Sequence, residues 1–117
     1  MRDYKTLQVW EKSHELVKSV YAVCAKFPKE ELYALTSQMK RSATSIPTNI
    51  VEGCGRRTDK DFCRFLYIAF GSANELEYQI MLSAELKFID TTESQHLSEK
   101  IEEIKKMLSS LIRKINS

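Results

Sequence analysis

Residues 97–115 read LSEKIEEIKKMLSSLIRKI, and their spacing sets the fold class. Leu97, Ile101, Ile104, Leu108, Leu111 and Ile115 recur at alternating steps of four and three, the spacing of a heptad seam on one side of an α-helix. Most positions between them are charged or hydroxylated, so the segment has one face to bury and one to leave in water. Such a helix needs partners of similar length to cover its stripe, and the rest of the chain supplies three.

Working upstream, this helix starts after Thr92, with Gln95 three residues on as the reciprocal cap. A third helix is expected over 58–87. Thr58 caps it with Asp61 reaching back, and its stripe is Phe62, Leu66, Ala69, Ala73, Leu76 and Ile80. A second is expected over 30–52, with Leu35, Met39, Ala43, Ile46 and Ile50 as its stripe. Pro47 lies inside it and predicts a kink or local break, because proline removes a backbone donor. Gly53 and Gly55 then predict a stop. The first helix is expected over 6–27, ending before Pro28, with Trp10, Val17, Val20, Cys24 and Phe27 on one face. Four such segments with short links predict an all-α, antiparallel up-down-up-down four-helix bundle, one domain over 1–117.

Composition agrees with that class. A chain of 117 residues that is 43% hydrophobic and 29% charged has the balance of one globular domain. Three glycines and two prolines leave little material for the turns of an all-β fold. Asp3, Lys5 and Glu11 interrupt the first residues before any useful apolar stretch, so no signal peptide is expected. No run approaches the roughly 18 apolar residues of a membrane span, and the reading is of a soluble, cytoplasmic chain with no membrane partner. Cys24, Cys54 and Cys63 are odd in number and lack CxxC spacing, which argues for reduced thiols over a disulfide framework or zinc site.

Catalysis finds no foothold. Glu11-x-x-His14 and Glu93-x-x-His96 imitate half of a di-iron carboxylate set, but they open helices that should run antiparallel. That puts the pairs at opposite ends of the bundle, on the order of 30 Å apart. Gly53-Cys54-Gly55 lacks the strand and the downstream Lys-Ser/Thr of a phosphate loop. No enzyme active site, metal site or cofactor is expected.

Two patterns point to surfaces instead. Arg41, Ser45, Thr48 and Glu52 form a polar stripe opposite the apolar one on the second helix. They are either a solvated face or a set of charge-assisted contacts between subunits. The third helix carries Phe62, Phe65, Leu66, Ile68, Ala69 and Phe70, apolar nearly all round, and then Gly71, Ser72 and Ala73. That surplus predicts a second buried face, read as a subunit interface through Arg41, Ser45, Glu52, Phe65, Ile68 and Ser72. The net charge of +2 makes no bulk case for nucleic acid. Locally, however, Lys40, Arg41, Arg56, Arg57, Lys60 and Arg64 are expected to surround the turn between helices two and three. Lys105, Lys106, Arg113 and Lys114 decorate helix four. From charge alone these groups either contact phosphates or, with Asp59, Asp61, Glu102 and Glu103, keep the surface soluble.

Several stretches also carry a family resemblance. In order they are Leu7-Gln8-Val9-Trp10, Val20-Tyr21 and Phe27-Pro28-Lys29-Glu30-Glu31-Leu32-Tyr33-Ala34-Leu35. Gln38-Met39-Lys40-Arg41-Ser42-Ala43 and Ser45-Ile46-Pro47-Thr48-Asn49-Ile50-Val51-Glu52-Gly53 follow. Phe65-Leu66-Tyr67-Ile68-Ala69-Phe70-Gly71-Ser72 and Glu75-Leu76 complete the set. The chain resembles, over nearly its whole length, the bacterial four-helix bundle family of 23S ribosomal RNA intervening-sequence proteins. Lys40 and Ser42 stand where the family commonly has Arg and Ala, and Val51 where it usually has Ala. The resemblance implies a homopentameric ring and a link to insertions in large-subunit ribosomal RNA genes. It also implies similarity to the accessory variability protein of diversity-generating retroelements, a basic pentamer that partners reverse transcriptase and binds nucleic acid. It implies no catalytic residue.

The combined expectation is a non-enzymatic homo-oligomer offering a basic surface to structured RNA or to a nucleic-acid enzyme. Phosphate contacts are expected from Lys40, Arg41, Arg56, Arg57, Lys60 and Arg64. The alternative is a scaffold or protein-interaction module without a nucleic-acid role.

Overall fold

A computed structural model describes residues 1–116 and contains four long helices: α1 (Gln8–Cys24), α2 (Leu35–Cys54), α3 (Asp59–Glu85) and α4 (Thr91–Asn116). Short 3-10 turns precede α1 (Tyr4–Thr6) and α2 (Lys29–Glu31). The direction of each helix follows from which side chains meet. Between α1 and α4, Lys12 reaches Glu103 at 3.3 Å, Lys100 donates to Ser19 at 3.3 Å, and Lys26 reaches Glu93 at 2.6 Å. Numbers rising on one helix and falling on the other mean antiparallel packing. The same inversion joins α2 to α3, through Ser83 on Met39 and Ser72 on Ser45. It joins α3 to α4 through Cys63 on Asn116 and Glu77 on Lys105. Each helix packs on two neighbours in the order α1–α2–α3–α4, and the ring closes from α4 to α1 within a body of 43 × 23 × 19 Å.

The expected stripes of α2 and α3 meet in the core: Met39, Ala43, Ile46, Ile50, Phe62, Leu66, Ala69, Ala73, Leu76 and Ile80 are all fully buried. A fully buried aliphatic or aromatic side chain contributes about 1.5–3 kcal/mol relative to exposure, so this shared stripe is what holds the bundle together.

The structure differs from the sequence reading at several places. On α1 the buried positions are Val9, Ser13, Leu16, Val20, Val23 and Cys24, with Phe27 just beyond, while Trp10 and Val17 are only half-buried. The indole of Trp10 stacks on His14, ring centroids 5.1 Å apart. Residues 30–34 are not α-helical: Pro28 opens the 3-10 turn, and α2 begins only at Leu35. The helix then runs unbroken through buried Pro47, which removes only one backbone donor, and ends at Cys54. Gly53 is therefore inside the helix, and Gly55 caps it with a right-handed φ of −83°. The role of Gly53 is spacing: a Cβ there would stand 2.9 Å from Phe62 Cδ1 and 3.0 Å from Phe65 Cβ.

Helix α4 begins at Thr91, and its cap is Asp90, whose Oδ1 accepts from the Glu93 N–H at 2.7 Å. Asp90 lies one step before the threonines and offers a charged acceptor, the stronger cap. Thr58 does cap α3, accepting from the Asp61 N–H at 3.1 Å, while the Asp61 carboxylate turns to Arg64 at 3.8 Å. The α4 seam keeps Leu97, Ile101, Ile104 and Leu108 buried, then passes to Ile112, leaving Leu111 and Ile115 half-buried. A straight helix drifts by about 20° per heptad from a 3.5-residue repeat, which moves the buried line round by one residue here.

Candidate nucleic-acid interface

The leader before α1, the α2–α3 turn and the end of α4 share one pole of the bundle. The Arg2 N–H donates to the Cys54 carbonyl at 2.9 Å, fixing the leader on the end of α2. The Arg2 guanidinium lies 4.3 Å above the Phe62 ring and 2.6 Å from Asp59. Arg56 and Arg64 lie over the Phe65 ring, 4.7 and 4.8 Å from its centroid. The same two arginines approach Glu52 (3.6 Å) and Asp61 (3.8 Å). A guanidinium over a ring face is attracted to it and keeps N–H donors for other partners. Exposed ion pairs of this kind contribute about 0–1 kcal/mol, so they do not lock the side chains away. Arg57 and Lys60 are exposed and have no ion-pair partner among the described residues.

Lys40 and Arg41 do not belong to this group. They sit near the start of α2, and the fifteen residues from Arg41 to Arg56 put about 22 Å of helix between them. Lys40 rests over the Tyr21 ring at 4.7 Å, and Arg41 donates to Ser37 at 3.0 Å. The expectation that all six cations surround one turn is corrected accordingly: four gather at the pole, with Arg2 joining them, and two face the α1 flank. Nothing in the periodicity of residues 1–7 signals Arg2, because the leader's contacts are made across the fold. On α4, Lys105 lies 5.6 Å over Phe70 and 3.2 Å from Glu77, while Lys106 approaches Glu102 at 3.8 Å.

The expected interface residues are also divided. The Ser45 and Ser72 hydroxyls hydrogen-bond each other at 2.7 Å, and Asn49 donates to Ser45 Oγ at 2.9 Å, so Ser45 faces α3 within the chain. Glu52 is engaged with Arg56, and Phe65 is buried beneath its two arginines. Ile68 remains 43% exposed. It belongs to an outward strip of α3 with Tyr67, Tyr78 and Met81, all more than half exposed. Gly71 lies within this strip, and a Cβ there would meet nothing within 4 Å.

The two Glu-x-x-His pairs sit at opposite poles, Glu11 and His14 at the start of α1 and Glu93 and His96 at the start of α4. Lys26 donates to Glu93, and that hydrogen bond raises the lysine's pKa. No group of three or more metal-ligating side chains occurs among the described residues. The thiols of Cys24, Cys54 and Cys63 are buried and free, and burial pushes each pKa up. No described helix is long and apolar enough to cross a membrane.

The four-helix fold has a close structural counterpart. A crystal structure from Bacteroides thetaiotaomicron, of a protein with unknown function from the S23 ribosomal protein family, superposes with a TM-score of 0.84. It is 30% identical to this chain, covering 90% of it and 95% of its own length. No curated protein matches the chain. The family model for the 23S rRNA-intervening sequence protein matches residues 5–110, a span that takes in all of α1, α2 and α3 and most of α4. On that match the chain belongs to the family of 23S rRNA-intervening sequence proteins.

Proposed function

We infer that this protein is a non-enzymatic, self-associating bundle that binds structured RNA through its basic pole. The observation that carries the reading is the grouping of two exposed, unpaired cations, Arg57 and Lys60, with Arg56 and Arg64 placed over Phe65. Guanidinium groups present donors in a fork that fits phosphate oxygens, and ammonium groups add charge without geometry. An irregular RNA helix offers phosphates at many angles, so shape and backbone would set selectivity ahead of base edges.

Self-association is supported by the outward α3 strip of Tyr67, Ile68, Tyr78 and Met81, apolar area that no part of the described chain covers. Repeating the pole around a ring would multiply its field, which a single chain of net charge +2 generates only weakly.

The test is binding of the purified protein to a structured RNA hairpin across a salt series, with mass in solution recorded alongside. Arg57→Ala combined with Lys60→Ala should weaken binding and flatten the salt slope by about 0.9 for each phosphate no longer neutralised, roughly 1.8 for the pair. A sedimenting species of five times the 13.6 kDa chain would match the ring implied by the family resemblance. Weak binding with no salt dependence by a well-formed oligomer would refute the RNA role and leave the scaffold reading.

A further inference from the structure

The α1–α2 flank carries a feature that the basic pole does not use. Tyr33, on the segment after the 3-10 turn, is 92% exposed, an aromatic ring that makes no contribution to the core. It lines a groove with Tyr21, Leu32, Ser37, Lys40 and Arg41, and no carboxylate among the described residues lines that groove. Lys40 is held over the Tyr21 ring at 4.7 Å, and Arg41 is exposed with only a neutral partner, Ser37. Two cations without a facing carboxylate favour an anionic occupant. Two rings at the groove favour one with flat, stackable faces.

Beyond the groove, α1 carries two more rings in line with Tyr21. Trp10, His14 and Tyr21 fall at i, i+4 and i+11, on the flank that faces α2. Trp10 and His14 are stacked at 5.1 Å with planes 9° apart, and Tyr4 meets the indole edge-on at 4.9 Å. From Trp10 to Tyr21 the rise is about 16 Å, room for roughly three stacked or splayed nucleotides.

We propose that this α1–α2 groove binds single-stranded nucleic acid, with bases stacking on Tyr33, Tyr21 and the Trp10–His14 pair and with Lys40 and Arg41 on the phosphates. Aromatic platforms interleaved with cations are the usual means of holding an unpaired strand without reading its sequence. The inference deepens the RNA reading above and rests on it only for the class of ligand. The two surfaces use different groups: the pole takes structured RNA by its backbone through Arg56, Arg57, Lys60 and Arg64, and the α1–α2 flank takes an unpaired segment by its bases.

Trp10 is the sole tryptophan of the chain, so its fluorescence reports on the groove directly. The full-length protein would be titrated with a twelve-nucleotide uridine RNA, its deoxythymidine counterpart and a blunt RNA duplex. Quenching by the single strands and not by the duplex is expected. Tyr33→Ala should reduce single-strand affinity about tenfold, the loss of one base-stacking platform. Arg41→Gln should reduce it further and flatten the salt dependence. Because Tyr33 stands in solvent, its replacement leaves folding untouched, and circular dichroism with thermal melting verifies this. Arg57→Ala with Lys60→Ala should leave single-strand quenching within about twofold while weakening hairpin binding. Unquenched Trp10, or quenching that Tyr33→Ala does not weaken, overturns the groove assignment. Loss of hairpin binding alone bears on the pole, so failure of one reading is distinguishable from failure of the other. The RNA and DNA strands report whether the 2′-hydroxyl contributes.

Discussion

Two glycine-to-alanine substitutions should move stability in opposite directions, and the structure gives both signs. Inside a helix, alanine is favoured over glycine by about 1 kcal/mol, because glycine loses more backbone freedom on folding. Gly71 is exposed in α3 with nothing within 4 Å of a prospective Cβ, so Gly71→Ala should gain close to that amount. Gly53 lies in α2 where it meets α3. There the new methyl would stand 2.9 Å from Phe62 Cδ1, 3.0 Å from Phe65 Cβ and 3.3 Å from the Phe62 carbonyl oxygen. Phe62 is fully buried, Phe65 Cβ is fixed to its backbone, and the carbonyl belongs to α3, so none can yield alone. The whole helix must move away by a few tenths of an ångström. Overpacking of this kind costs about 1–3 kcal/mol, and with rigid neighbours the upper end applies. Subtracting the helix-propensity gain leaves Gly53→Ala destabilising by about 2 kcal/mol. For a chain of this length that lowers Tm by roughly 8 °C, while Gly71→Ala raises it by about 4 °C. Urea denaturation and thermal melts followed by circular dichroism, at dilutions where any oligomer has dissociated, would measure both. Equal stabilisation by the two substitutions would refute the close α2–α3 approach at Gly53. If copies meet across the α3 strip, Gly71→Ala should also weaken self-association while strengthening the isolated chain.

Four further outcomes are expected. Lys87 has a φ of 66° and ends α3 in a Schellman arrangement, with the Phe88 N–H on the Ser83 carbonyl at 2.9 Å and the Lys87 N–H on Ala84 at 3.0 Å. A left-handed conformation costs a side-chain-bearing residue about 1–2 kcal/mol, so Lys87→Gly should stabilise the protein by about 1 kcal/mol in chemical denaturation. Asp90→Ala should cost about 1 kcal/mol through loss of the α4 cap, whereas Thr92→Ala should change little; a reversed order in urea titrations would contradict the cap assignment. Ile112→Ala should be more damaging than Ile115→Ala, the first approaching the 2–5 kcal/mol of a core deletion, because the buried line has passed to Ile112. Burial raises the pKa of Cys24, Cys54 and Cys63 above the ordinary value of 9.0. The folded state thus holds more protons than the unfolded state in that range. The thiol contribution is fully present below pH 9 and is lost as pH rises through the folded pKa, so stability should decline in that window.

The α4 seam, the α2 and α3 stripes and the Thr58 cap were all legible in the linear order, because each depends on residues within a few turns of one helix. Helix direction was legible too, since the connections are too short for anything but antiparallel neighbours. The register of α1 was not. Trp10 and Leu16 both fit a helical stripe, and only packing against α2 and α4 determines that Leu16 goes inside while Trp10 stacks outside on His14. The same holds for the end of α4, where the passage from Leu111 to Ile112 depends on how straight the helix runs against α1 and α3.

What lay furthest from the sequence was the grouping of charges. Local order gathers Lys40 and Arg41 with Arg56, Arg57, Lys60 and Arg64 because they are close in number. A helix rising about 1.5 Å per residue carries the first two away from the rest, to a flank shared with Tyr21 and Tyr33. Arg2 travels the other way, brought by a backbone hydrogen bond to Cys54 onto the pole its number does not suggest. The fold class is already settled in the linear order, since hydrophobic period and helix caps act over a few residues. Which cations share a surface and which aromatic rings stay in solvent follows from helix packing alone, because both depend on distances between helices that no local pattern encodes.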